Sequence, residues 1–101
     1  MQDISVHELS EKIKSKDNFI LIDVRESYEH TEFNIGGDLA SLQTSLMNKI
    51  HEMQGKENEE IVVYCKSGSR SGMAKQLFAQ AGFKNVRNLI GGMLYWREVF
   101  Q

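Results

Sequence analysis

A single cysteine heads a short loop of small and basic residues, Cys65-Lys66-Ser67-Gly68-Ser69-Arg70. The apolar run Ile61-Val62-Val63-Tyr64 leads into the loop, and Ser71-Gly72-Met73-Ala74 leads out of it. Backbone N–H groups in a short Gly/Ser loop can converge on one point, and a helix N-terminus behind them adds partial positive charge. A thiolate is favoured at such a point. Lys66 and Arg70 add formal charge, so the expected pKa of Cys65 lies well below the ordinary value of about 8.5. The chemistry this permits is nucleophilic attack by sulfur inside an anion-binding loop. The plainer alternative, a small buried hydrophobe closing a strand, leaves the lysine, glycine and arginine of the next five positions without a purpose.

Two elements must position this loop. Ile61, Val62 and Val63 are β-branched and apolar without alternation, which predicts a strand buried on both faces of a parallel sheet. After Arg70, residues Met73, Ala74, Leu77, Phe78 and Ala81 recur at helical spacing, and Gly82 follows as a left-handed cap. The cysteine is thus placed where a buried strand ends and a helix begins.

The loop resembles the active-site loop of the rhodanese family, sulfurtransferases whose cysteine carries a sulfane sulfur as a persulfide. Two further segments agree in order and spacing. Leu21-Ile22-Asp23-Val24-Arg25-Glu26 resembles the first strand of that family with its Asp-Val-Arg-Glu ending, and Leu89-Ile90-Gly91-Gly92-Met93-Leu94-Tyr95-Trp96 resembles the Gly-Gly…Trp turn into its last helix. The resemblance covers nearly the whole chain and implies an α/β rhodanese-like fold, a mainly parallel central sheet flanked by helices on both faces. One departure stands out. Where the family usually carries His-Ile-Pro-Gly-Ala, this chain has Asn34-Ile35-Gly36-Gly37-Asp38. With glycine in place of proline, the turn is expected to be looser.

The resemblance implies that the Cys65 thiolate takes the outer sulfur of thiosulfate or another anionic sulfane donor. It then passes that sulfur to a thiol, free or on a protein, or to cyanide. Loop N–H groups from Lys66, Ser67, Gly68, Ser69 and Arg70 would hold the charged persulfide, with Lys66 and Arg70 attracting the donor. By the same resemblance Asp23 helps hold the cysteine loop, with Arg25 beside it; the alternatives are a turn aspartate and a surface pair between Arg25 and Glu26 or Glu29. Phosphatase or arsenate reductase chemistry on a Cys…Arg loop is a competing possibility. It is disfavoured because only four residues separate Cys65 from Arg70 where those loops have five. A module without turnover, regulatory or redox-sensing, is the third possibility.

Composition sets the outer bounds. The 101 residues predict one domain, 1–101, and a net charge of −2 with both signs interspersed predicts neither nucleic-acid nor membrane partners. No secretory pattern opens the chain, no apolar run approaches the ~20 residues of a membrane span, and a lone cysteine suits a reducing compartment. The expected location is cytoplasmic. No residues have metal-ligand spacing, and the chemistry calls for no cofactor.

The remaining elements follow from periodicity. A helix should begin at Ser5, which stands at capping-box spacing from Glu8, and end near Lys16-Asp17-Asn18, with His7 exposed. Phe19 to Val24 should be a central strand. Residues 26–33 should hold a turn or two of helix with Tyr28 and Phe33 inward and His30 in solvent. From Asp38, residues Leu39, Leu42, Leu46, Ile50 and Met53 step by three and four, which predicts a long amphipathic helix closed by Gly55, with His51 on it. A solvated loop at Lys56–Glu60, a short strand near residues 83–90 and a last helix burying Met93 and Trp96 complete the chain.

Overall fold

The computed structural model describes residues 2–101. Ser5 caps the first helix, its Oγ accepting the Glu8 N–H at 3.0 Å, and α1 runs Val6–Lys14. The chain continues through β1 (Ile20–Asp23), α2 (Ser27–Glu32), β2 (Asp38–Leu39), α3 (Leu46–Glu52), β3 (Ile61–Tyr64), α4 (Ser69–Gln80), β4 (Val86–Asn88) and α5 (Gly92–Phe100). All four strands are parallel and lie in the order β2-β1-β3-β4.

The two strands that carry the recognised motifs, β1 and β3, are the interior pair, so their side chains must be apolar on both faces. Along β3 the burial is complete. Ile61 and Val63 pack with Ile22, Leu46, Ile50 and Phe78 on the face covered by α3 and α4. Val62 and Tyr64 pack with Val6, Leu9, Leu89 and Met93 on the face covered by α1 and α5. This is the expected α/β arrangement, with helices on both faces. Removing a ring from its centre, as in Phe78→Ala, would cost ~3–5 kcal/mol. Arg87 ties the N-terminal segment to the sheet, donating to Gln2 O at 2.8 Å and to the carboxylates of Glu8 and Glu60.

Two expectations are corrected. Residues 38–53 are not one helix: Asp38–Leu39 pair with Ile22 and Asp23 as edge strand β2, a turn follows, and only Leu46–Glu52 is helical. Ala40 is buried there in place of Leu39, and Met47 is 60% exposed. Tyr28 does not turn inward but stands 66% exposed. The glycine turn carries specific bonds. Gly36 takes φ +101°, which proline cannot adopt. Its N–H donates to Asn34 Oδ1 at 2.9 Å, and the buried Tyr64 hydroxyl donates to Gly36 O at 2.9 Å.

Candidate functional site

Strand β3 delivers Cys65 to the carboxyl end of the sheet, Gly68 turns the chain at φ +108°, and α4 begins at Ser69. The turn brings donors back onto the sulfur. Cys65 Sγ accepts the Gly68 N–H at 3.1 Å, the Ser71 N–H at 3.4 Å and lies 3.3 Å from Ser71 Oγ. Burial pushes the thiol up. The Ser71 hydroxyl and the N–H groups of Ser71, Gly68 and Ser67 outweigh that penalty, so the pKa falls below its ordinary value. Ser71, the nearest side-chain donor to the sulfur, was not among the candidates; a hydroxyl in the first turn of the helix behind the loop is the signal that could have found it.

The back of the loop rests on α5. Met93 N–H donates to Cys65 O and Leu94 N–H to Lys66 O, both at 2.9 Å. Gly92 makes this approach possible, since a Cβ there would lie 2.5 Å from Lys66 O. From the other side Asn88, at the end of β4, donates through Nδ2 to Gly68 O at 3.0 Å. Loop, helix and neighbouring strand are thereby held as one unit.

The two loop cations have different fates. Arg70 is engaged by Glu29 on α2, with Nη1 to Oε1 at 2.7 Å and Nη2 to Oε2 at 3.0 Å, so its charge is largely balanced. The Lys66 side chain is exposed and, among the described residues, makes no hydrogen bond or ion pair. It borders a cleft of about 540 Å³ that runs past Tyr28, Glu29 and Phe33 to Leu94 and Arg97.

Asp23 and Arg25 form a separate assembly. The fully buried Asp23 carboxylate accepts from Arg25 N at 3.0 Å, Nε at 2.9 Å and Nη2 at 2.7 Å, and His30 Nδ1 lies 2.8 Å away. Burial opposes ionisation of Asp23, but the Arg25 and His30 bonds more than offset it and hold the carboxyl below the usual range. Arg25 also reaches Phe33 O at 2.7 Å, and its guanidinium lies 5.5 Å from the Tyr64 ring centre. Neither a surface pair with Glu26 or Glu29 nor a solvent-facing His30 is found. Among the described residues Asp23 makes no hydrogen bond to Cys65–Arg70. The direct contact with the loop comes from Glu29, through Arg70.

Among the described residues there is no group of three or more His, Cys, Asp or Glu that could hold a metal, and no helix is long and apolar enough to cross a membrane.

Comparison with known proteins adds a family to this geometry. The model of the rhodanese-like domain matches residues 5–99. A sulfurtransferase of Allochromatium vinosum is 29% identical, over 95% of this chain and 88% of its own. The Bacillus subtilis protein YrkF, named provisionally as a sulfur carrier protein, is 33% identical over 93% of this chain. The chain spans only 50% of that relative and 48% of a Synechocystis relative. Among solved structures, a Staphylococcus saprophyticus protein superposes with a TM-score of 0.81 at 30% identity, covering 95% of this chain and 93% of its own.

Proposed function

The chain belongs to the rhodanese-like domain family, and from that premise we propose that it is a sulfurtransferase working through a persulfide on Cys65. The observation that carries the proposal is the convergence of Gly68 N–H, Ser71 N–H and the Ser71 hydroxyl on one buried sulfur, in a loop whose next residue, Lys66, lines a cleft.

In the first half-reaction the Cys65 thiolate attacks the outer sulfur of thiosulfate. A new S–S bond forms, the old one breaks, and sulfite leaves with the electron pair. In the second, an acceptor thiolate attacks the outer sulfur of the persulfide, and Cys65 departs as the thiolate. Covalent relay of this kind divides one transfer into two easier ones. The loop N–H groups of residues 66–70 are the proposed cradle for the charged outer sulfur. Lys66, with no competing partner, is the cation left to draw in an anionic donor.

Arg70 supports this reading over phosphatase chemistry. A tetrahedral oxyanion needs a free guanidinium over the nucleophile, and here both terminal nitrogens are bound to Glu29. The proposed acceptor is a thiol, free or on a protein, and the chain is proposed to act as one domain.

Intact mass provides the test. Incubation with thiosulfate should add one sulfur atom, cyanide or a reducing thiol should remove it, and Cys65→Ser should abolish the change. Since Cys65 is the only thiol, transfer that persists in that variant would overturn the assignment.

A further inference from the structure

Ser71 Oγ lies 3.3 Å from Cys65 Sγ and 2.5 Å from Asn88 Oδ1. It carries one proton. The orientation of the Asn88 amide is settled by its other end, because Gly68 O can only accept and must therefore face Nδ2, at 3.0 Å. Oδ1 then faces Ser71, and an amide oxygen cannot donate. The two hydrogen bonds drawn from Ser71 thus compete for the same hydroxyl hydrogen.

We infer that Asn88 is a positioning residue for the cysteine: its carbonyl holds the Ser71 proton while the sulfur is neutral and yields it to Sγ when the sulfur is charged. Neither acceptor can leave. Ser71 is fully buried in the first turn of α4, and Asn88 is anchored through its N–H to Asp3 Oδ1 at 3.0 Å. Only rotation of the hydroxyl is needed, since the backbone donors from Gly68 and Ser71 keep their aim on the sulfur. In the neutral state the chain of bonds runs from the S–H to Ser71 Oγ and on to Asn88 Oδ1. In the thiolate state Ser71 points back, and Oδ1 loses its donor. Asn88 therefore weakens the stabilisation of the thiolate that Ser71 provides.

The consequence for turnover rests on the persulfide proposed above. When Cys65 takes up a sulfur, negative charge passes from Sγ to the outer atom, and the Ser71 proton returns to Asn88. Ser71 then assists the attack on the donor and withdraws before discharge.

Other charges flank the relay. Asp3, paired with Lys75 at 2.6 Å, stands behind the Asn88 backbone. Arg70 with Glu29, and Lys66, lie on the loop side. The Asp23–Arg25 pair sits beyond Tyr64. None is removed by the variants used below.

The test is the rate of Cys65 alkylation by iodoacetamide as a function of pH, which needs no sulfur donor and so stands apart from the sulfurtransferase assignment. Ser71→Ala should shift the profile to higher pH. Asn88→Ala should shift it to lower pH, with alkylation about threefold or more faster on the acid limb. In the Ser71→Ala background the downward shift should disappear, because it acts through the hydroxyl, leaving only the effect of losing the bond to Gly68 O. If Asn88→Ala moves the profile upward, leaves it in place, or moves it equally in both backgrounds, the competition does not exist. Asn88→Leu, closer in volume, serves if the alanine variant does not fold by circular dichroism.

Discussion

Glu29 accepts from both terminal nitrogens of Arg70, at 2.7 and 3.0 Å, across 41 residues of chain. The pair ties α2 to the first turn of α4 and lowers the Glu29 carboxyl from its usual 4.5 to about 2, with Arg70 as the main cause and burial opposing it. Because the folded pKa lies below the unfolded one, this stabilisation is complete above pH 4.5 and is lost as pH falls toward 2. Solvent still reaches Arg70, which limits the contribution to about 1–2 kcal/mol. Glu29→Gln should flatten the fall in urea midpoint across that window. Parallel curves for wild type and variant would show that the pair contributes nothing.

The same pair changes what each loop charge does to an anionic donor. Of the two loop cations, Lys66 is the one whose side chain has no partner among the described residues, so Lys66→Ala should raise KM for thiosulfate about three- to fivefold with little change in kcat. The effect should shrink as salt is added, with a Debye length of about 10 Å at 0.1 M. Arg70→Ala also uncovers the Glu29 carboxylate, whereas Glu29→Gln leaves Arg70 unbalanced and should lower KM. Thiosulfate kinetics at two ionic strengths decide the matter, and a Lys66→Ala variant indistinguishable from wild type at low salt would leave donor capture to the backbone alone.

Much of this is legible in the sequence. The unalternating β-branched run at Ile61–Val63 forces a strand buried on both faces, and the Ser5 cap and the Gly82 stop each follow from local chemistry. The segment Asp38–Met53 misleads because Leu39, Leu42 and Leu46 imitate a helical stripe. What makes Asp38–Leu39 a strand is pairing with β1, a non-local event that spacing within the segment does not report. Asp23 stands at the expected strand end with Arg25 beside it, but its contact with His30 depends on how α2 folds back over β1, which local spacing does not report. Asn88 was invisible for a similar reason: its contact with Ser71 spans 17 residues and exists only once β4 lies beside β3.

Tyr64 offers a test of the glycine turn. Its hydroxyl donates to Gly36 O at 2.9 Å and accepts the Ile35 N–H at 3.4 Å, while burial pushes its pKa upward. Tyr64→Phe keeps the ring and removes both bonds. The expected cost is about 1 kcal/mol, or a fall of roughly 4–8 °C in Tm, together with faster amide exchange confined to residues near Ile35. An unchanged Tm and unchanged exchange would mean that Asn34 alone holds the turn.

Gly92 gives the sharpest prediction, because the Cys65 loop and the last helix meet there with no room between them. Its φ is +58°, which costs an L-residue ~1 kcal/mol or more, and a Cβ would stand 2.5 Å from Lys66 O and 2.7 Å from Cys65 O. Those atoms are backbone, so no side-chain rotation relieves the clash. Either α5 lifts off or the loop moves, and either motion stretches the 2.9 Å bonds from Met93 and Leu94 to the loop carbonyls. Gly92→Ala should therefore cost about 2–4 kcal/mol and also slow Cys65 alkylation and sulfur loading in the fraction that remains folded. Gly55→Ala is the matched control: φ is +99° there, but nothing lies within 4 Å of the added carbon. It should carry the backbone strain alone, about 1 kcal/mol, and leave Cys65 untouched. Equal effects of the two substitutions on both Tm and cysteine reactivity would show that the close approach of α5 does not set the loop.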